Sequence, residues 1–199
     1  MDNIFLFNEK KLTQSAAFFL FKASGRLDIL KLMKLLYITE RTSFKKFHRP
    51  LIGDSLVSMR NGPVLSITLN FINGEVRNQA FWNEWISDRS AYQVGLRDPS
   101  LIRDEDDLLE LSNNDIRLLN AVWDEFGHLS RWQLVDWTHE YCAEWKDPGT
   151  SSYPIHYEKL FQALGLDKQL SQHIIDDMQT EIRRNKFKQQ VLCQDYTNQ

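Results

Sequence analysis

The stretch from Ile29 to Phe47 constrains the fold most, because its spacing predicts one helix that is apolar around most of its circumference. Apolar residues recur there with the i, i+3, i+4, i+7, i+8 period of a helical face, and others fill much of the remaining surface: Ile29, Leu30, Leu32, Met33, Leu35, Leu36, Tyr37 and Ile38. Only Lys31 and Lys34 open a polar strip in this half of the helix. A helix with so little polar surface is expected in the middle of a core.

Residues typical of helix ends flank this helix. Asp28 is a suitable N-cap, and Pro50 ends the helix because the residue before a proline is disfavoured in the α conformation. Gly62 permits unusual backbone angles, and Pro63 suits the first position of a new helix. We therefore predict that another helix begins at Pro63 and ends at Gly74.

Shorter elements are predicted on either side of these helices. Thr13 is expected to cap a first helix, with Gly25 as its C′ residue. Residues 56–59 favour a short strand, and the alternation over residues 91–96 favours a second. Residues 81–86 are interpreted as a third strand, with a short helix as the alternative, and the three strands as one small antiparallel sheet.

The C-terminal half predicts further helices. Ser112 and Ser130 each open a capping-box pattern before an apolar periodic segment. Residues 154–164 are predicted to form a helix that starts on proline, and Asp167 to cap a last helix that runs past Lys188. The fold class is therefore α+β, mainly α-helical, with a helical core, a small antiparallel sheet and a C-terminal helical extension.

Composition and motifs indicate a binding protein in preference to an enzyme. The chain has 199 residues and a formal net charge of −3, without the basic face of a nucleic-acid binder. Its five histidines show no zinc-helix spacing, and Cys142 and Cys193 match no metal motif. No nucleophile elbow or phosphate loop occurs. We expect no cofactor, no metal and no catalytic activity.

The start of the chain shows no signal-peptide pattern and no apolar run is long enough to span a bilayer, so a cytoplasmic protein with reduced thiols is expected.

Residues 118–141 have the helix, turn and helix spacing of a DNA-binding unit. The second helix, however, offers Arg131 against Asp136 and Glu140. DNA readers need several cationic side chains on the phosphate backbone, so DNA is not expected as a partner.

Three blocks in this order resemble the Panacea domain of SocA-like antitoxins, whose pattern is K-L-x-K-L-L-Y, then G-x-P-L, then Y-G-P-V. The matching residues are Lys31, Leu32, Lys34, Leu35, Leu36, Tyr37, Pro50, Leu51, Gly62, Pro63 and Val64. A later segment matches at Gly127, Leu129, Ser130, Leu134, Thr138, His139 and Trp145. The chain departs from the pattern at Arg49 and at Asn61, which replaces an aromatic residue.

The resemblance implies an antitoxin domain over residues 1–150, followed by a helical extension over residues 151–199. It implies that the protein is the antitoxin of a bacterial or phage toxin–antitoxin system, with a role in phage defence. The toxin would be a protein encoded by the neighbouring gene, and the antitoxin would neutralise it by direct binding. A proteolytic adaptor that delivers the toxin to a protease, and a helix-turn-helix regulator, are the alternatives. A homodimer is left open.

Two sets of residues are predicted to contact the partner. The first surrounds Tyr37, Arg60 and His139, although a structural role in bracing the core is the commoner one for a histidine such as His139. The second is a cationic cluster near the C-terminus that would bind an acidic partner or RNA, although a cationic last turn that complements the helix dipole is the favoured alternative: Arg183, Arg184, Lys186 and Lys188.

Overall fold

A computed structural model describes the backbone of residues 6–197 and the side chains of residues 6–191. The described helices are α1 (Glu9–Lys22), α2 (Ile29–Phe47), α3 (Ser66–Asn73), α4 (Ala80–Trp85), α5 (Asn113–Phe126), α6 (Arg131–Tyr141), α7 (Tyr157–Ala163) and α8 (Lys168–Thr197). The described strands are β1 (Arg26–Asp28), β2 (Leu56–Met59), β3 (Gly62–Leu65), β4 (Gln93–Gly95) and β5 (Tyr153–Pro154). This arrangement confirms the predicted fold class. The apolar run at residues 4–7 predicts a short strand or an arm that packs on the body, and part of this run lies outside the described residues.

Helix α2 is the central element, and its predicted bounds are confirmed. It contacts α1, α5, α6, α7 and β3, and Leu32 and Leu36 are fully buried. The Asp28 carboxylate accepts a hydrogen bond from the backbone N–H of Leu30 at 2.9 Å, as expected of the N-cap. His48 closes the helix in the left-handed conformation, two residues before Pro50.

The predicted ends of α1 are wrong by a few residues. Asn8 caps the helix, and the Thr13 hydroxyl instead donates to the carbonyl oxygen of Glu9 within it. At the other end the N–H of Ser24 bonds to Phe21 and the N–H of Gly25 bonds to Leu20. These two bonds form a Schellman motif in which Ser24 occupies the C′ position and Gly25 the next one.

The prediction that Pro63 starts a helix is wrong, because residues 62–65 form β3. Strands β2 and β3 make an antiparallel hairpin in which Met59 faces Gly62, joined by the two residues Arg60 and Asn61. Pro63 is tolerated because β3 is an edge strand. Helix α3 starts only at Ser66, and Gly74 ends it with a φ of 73°, as predicted.

The strands form two sheets, so the prediction of a single sheet is also wrong. Strand β4 pairs with β1 and not with β2. Residues 80–85 form helix α4, which is the alternative interpretation of this segment. The prediction that a helix starts on Pro154 is wrong, because Pro154 lies in strand β5, which pairs with β2, and the helix starts at Tyr157.

The predicted helices of the C-terminal half are present. Both capping boxes form, at Ser112 and at Ser130. The ring of Phe44 on α2 lies 5.4 Å from the ring of Tyr157 and 5.3 Å from that of Phe161, so α7 packs on the central helix. Asp167 caps α8 through the N–H of Leu170 at 2.8 Å. In the part of the chain that the structure describes, no helix combines the length and the apolar character needed to cross a membrane.

Candidate functional site

The first and third sequence blocks meet around a buried lysine. Lys34 on α2 is fully buried, and its ammonium donates a hydrogen bond to the carbonyl oxygen of Pro63 at 2.7 Å. Gly62 has a φ of +94°, and a Cβ there would lie 2.6 Å from Thr138 Oγ1 and 2.8 Å from Lys34 Nζ. Burial lowers the pKa of Lys34 to about 7. Because Gly62 has no side chain, α2, β3 and α6 can pack closely against one another at this point.

Tyr37 lies inside the protein and not on its surface. Its side chain is fully buried, and its hydroxyl donates to Glu144 Oε1 at 2.8 Å. The Arg41 guanidinium donates to the same oxygen at 2.8 Å. Burial, followed by the charge of Glu144, raises the pKa of Tyr37. This network ties α2 to the segment that follows α6.

Arg60 and His139, predicted to share a surface, do lie together. His139 is exposed, and a hydrogen bond links it to the backbone of Arg60. Its ring stacks on Trp145 with centroids 3.9 Å apart, and the indole N–H of Trp145 donates to the carbonyl oxygen of Met59. Partial burial, followed by the charge of Lys34, lowers the pKa of His139. These contacts brace the tip of the β2–β3 hairpin, where Arg60 is exposed.

A groove of about 600 Å³ opens beside this hairpin tip, and we call it the arginine groove. It is lined by residues from the start of α2, the hairpin, α3, the loop between α4 and β4, and the start of α6: Asp28, Ile29, Leu30, Met33, Met59, Arg60, Asn61, Gly62, Val64, Leu69, Arg89, Tyr92, Arg131 and Trp132. Apolar side chains and three arginines thus share one concave surface.

The three arginines of the groove differ in their partners. Arg131 forms an ion pair with Asp28 at 2.5 Å. Arg89 donates to the side-chain oxygen of Asn73 at 2.6 Å and to the carbonyl oxygen of Ala91. Among the described residues, no carboxylate forms an ion pair with Arg60 or Arg89.

Two large aromatic side chains of the groove face solvent. Tyr92 is 73% exposed and Trp132 is 53% exposed. Arg60 is a partner contact predicted from the sequence, whereas Arg89, Tyr92 and Trp132 are not, because the groove assembles from separate segments without a common motif. The adjacent Arg131-Trp132 pair is a local sequence feature that indicates a binding surface, since both residue types are favoured at interface hot spots.

The predicted cationic cluster lies in the second half of α8. The alternative that it complements the helix dipole from the last turn is wrong, because the helix continues to Thr197. Arg183 and Arg184 are exposed, and Arg184 pairs with Glu181 on the same helix at 2.9 Å. Buried side chains on the described part of α8 end at Ile182, and Phe187 is 66% exposed. Lys186 and Lys188 lie on the same stretch of the helix, and none of the four predicted residues lines the arginine groove.

Buried ionisable groups elsewhere have structural partners. Glu40 accepts hydrogen bonds from the backbone N–H groups of Leu51, Ile52 and Gly53. Burial raises the pKa of the Cys142 thiol to about 12, whereas a nucleophilic cysteine needs a lowered value. Among residues whose placement is described, no group of three or more His, Cys, Asp or Glu side chains is arranged to hold a metal ion.

Comparison with protein families gives one match. The family model described as antitoxin SocA-like, Panacea domain, matches residues 32–146, which is more than half of the chain. No curated protein and no solved structure matches the chain. The matched range contains the blocks that meet at Lys34, Tyr37 and Gly62. The chain therefore belongs to the family of SocA-like antitoxins that carry the Panacea domain.

Proposed function

We propose that this protein is the antitoxin of a bacterial or phage toxin–antitoxin pair and neutralises its toxin by direct binding in the cytoplasm. The observation that carries the proposal is the arginine groove within a domain of an antitoxin family. Exposed Tyr92 and Trp132 beside arginines give the composition of an interface hot spot.

The roles of the buried ionisable groups support binding in preference to catalysis. Glu40 holds the loop at residues 51–53, and Asp54 accepts hydrogen bonds from Ile67 and Thr68 at the start of α3. The Glu144 carboxylate accepts hydrogen bonds from Tyr37 and Arg41. Each of these carboxylates is occupied in holding two segments together, so we infer that the protein acts without chemistry of its own.

We further propose that residues 151–199 select the toxin. This extension lies beyond the matched residues 32–146, and a shared domain must vary some part of its surface to discriminate between partners. Strand β5 and helix α7 attach the extension to β2 and α2. The cationic stretch of α8 at residues 183–188 is thereby attached to the domain, where it can contact an acidic surface.

Helix α6 gives little support to the alternative of a DNA-binding regulator. Arg131 at its start is paired with Asp28, and Gln133 completes the capping box. The exposed charges farther along the helix, Asp136 and Glu140, would repel phosphates.

Co-expression with the product of the neighbouring gene tests the proposal. If that product is toxic, this protein should restore growth, and the two should co-purify as a stoichiometric complex. The complex should survive Cys142→Ser with Cys193→Ser and the addition of a chelator. Rescue without physical contact would contradict direct neutralisation. A fall in toxin level that depends on a cellular protease would favour the adaptor alternative.

A further inference from the structure

The floor of the arginine groove suits an apolar anchor. Six apolar residues from α2, the hairpin and α3 contribute to it: Ile29, Leu30, Met33, Met59, Val64 and Leu69. Met33 and Val64 are buried, while Leu30 and Leu69 are partly exposed. A volume of about 600 Å³ is within the range of sites that enclose most of a ligand's surface, so a bulky side chain fits.

The charge of the groove is opposite to that of the whole protein. Three arginines and one aspartate line it, although the chain carries a formal net charge of −3. Arg60 and Arg89 have no carboxylate partner among the described residues, and Arg89 is held by Asn73. A guanidinium presents a planar fork of donors that matches a carboxylate, so these two side chains are suited to an acidic group.

We propose that the arginine groove binds an acidic segment of the toxin, with an apolar side chain seated on the floor and carboxylates on Arg60 and Arg89. This inference rests on the proposed antitoxin function and names the chemistry of the partner at that site. The exposed cationic stretch of α8 in a second copy is a poor occupant, because Arg183 and Arg184 would face the arginines of the groove.

Two groove variants with matched controls test the proposal on the full-length protein. Arg60→Glu with Arg89→Glu reverses the unpaired charges, and Arg117→Glu with Lys45→Glu makes the same charge change at exposed positions outside the groove. The neutral variant Arg60→Gln is the milder change if the reversal unfolds the protein.

The aromatic side of the groove is tested in the same way. Trp132→Ala removes a side chain that is 53% exposed in the groove. Tyr141→Ala removes one that is 54% exposed on the same helix but does not line the groove. The probe is the purified toxic product of the neighbouring gene, and the readout is its dissociation constant at low and high salt.

We expect each groove variant to weaken toxin binding by about 10-fold or more, with the charge reversal losing most of its effect at high salt. The controls should bind as the wild type does. If the wild type binds the toxin and the groove variants match the controls, the groove proposal is wrong and the antitoxin function stands. A wild-type protein that fails to bind the toxin overturns both. A dimer of the free protein that only the groove variants lose, with toxin binding unchanged, would identify a second copy as the occupant and overturn the proposal.

Discussion

The ammonium of Lys34 lies 2.7 Å from the carbonyl oxygen of Pro63, although the two residues are 29 positions apart. This bond joins the central helix to the hairpin and gives each of these two buried polar groups a partner. It also explains why a glycine precedes the proline, since a Cβ on Gly62 would occupy the space of the ammonium. The family blocks around residues 34 and 62 are therefore two halves of one contact.

The buried lysine predicts a pH dependence of stability. Burial lowers the pKa of Lys34 from 10.5 to about 7, so between these values the unfolded chain binds more protons than the folded protein. The free energy of unfolding should therefore rise with pH across this window through this group, and the penalty is fully present below pH 7. We predict that Lys34→Met abolishes this rise. Denaturant unfolding of both proteins at several pH values measures it, and a stability difference that stays constant with pH would contradict the prediction.

Substitutions at two glycines distinguish the energetic cost of steric crowding from the cost of an unfavourable backbone conformation. Gly62 and Gly25 have similar positive φ values, +94° and +99°, but only Gly62 has neighbours within 4 Å of an added Cβ. Gly25→Ala should cost roughly 1–2 kcal/mol for the backbone conformation alone. Gly62→Ala should cost about 1–3 kcal/mol more, because Thr138 and Lys34 must also move. Thermal unfolding of the two variants gives the comparison, and equal losses would show that the contact around Lys34 is loosely packed.

The cationic stretch of α8 at residues 183–188 should contribute to toxin binding through its charge. Four reversals to Glu define the variant: Arg183, Arg184, Lys186 and Lys188. Exposed charges at the edge of an interface act mainly on the association rate and its salt dependence. We predict a slower association with the toxin at low salt, a smaller effect at high salt, and a domain that stays folded. An unchanged association rate at low salt would mean that the extension only braces the domain.

Local chemistry was sufficient to predict the helices that begin with a strong cap. Asp28, Ser112 and Ser130 each bond within their own first turn, and the sequence shows this directly. Helix α3 was misplaced because its start is stabilised from a distance. Leu65 at its N-cap supplies no side-chain bond, and Asp54 accepts from Ile67 and Thr68 instead.

The candidate site was predictable only in part for the same reason. Arg60 and His139 lie near the family blocks, and the structure brings them together. Tyr37 belongs to those blocks too, but a buried bond to Glu144 uses its hydroxyl. Arg89 and Tyr92 reach the groove because β4 pairs with β1, a pairing between distant segments that no local pattern indicates.

Titration of the purified toxin with this protein tests the central claim of direct neutralisation most directly. Toxin activity should fall in proportion to added protein and reach zero at a fixed stoichiometric ratio, independent of the time of incubation. Fresh toxin added after that point should be fully active. Loss of toxin activity at a small fraction of that ratio, growing with time, would show turnover and contradict the account.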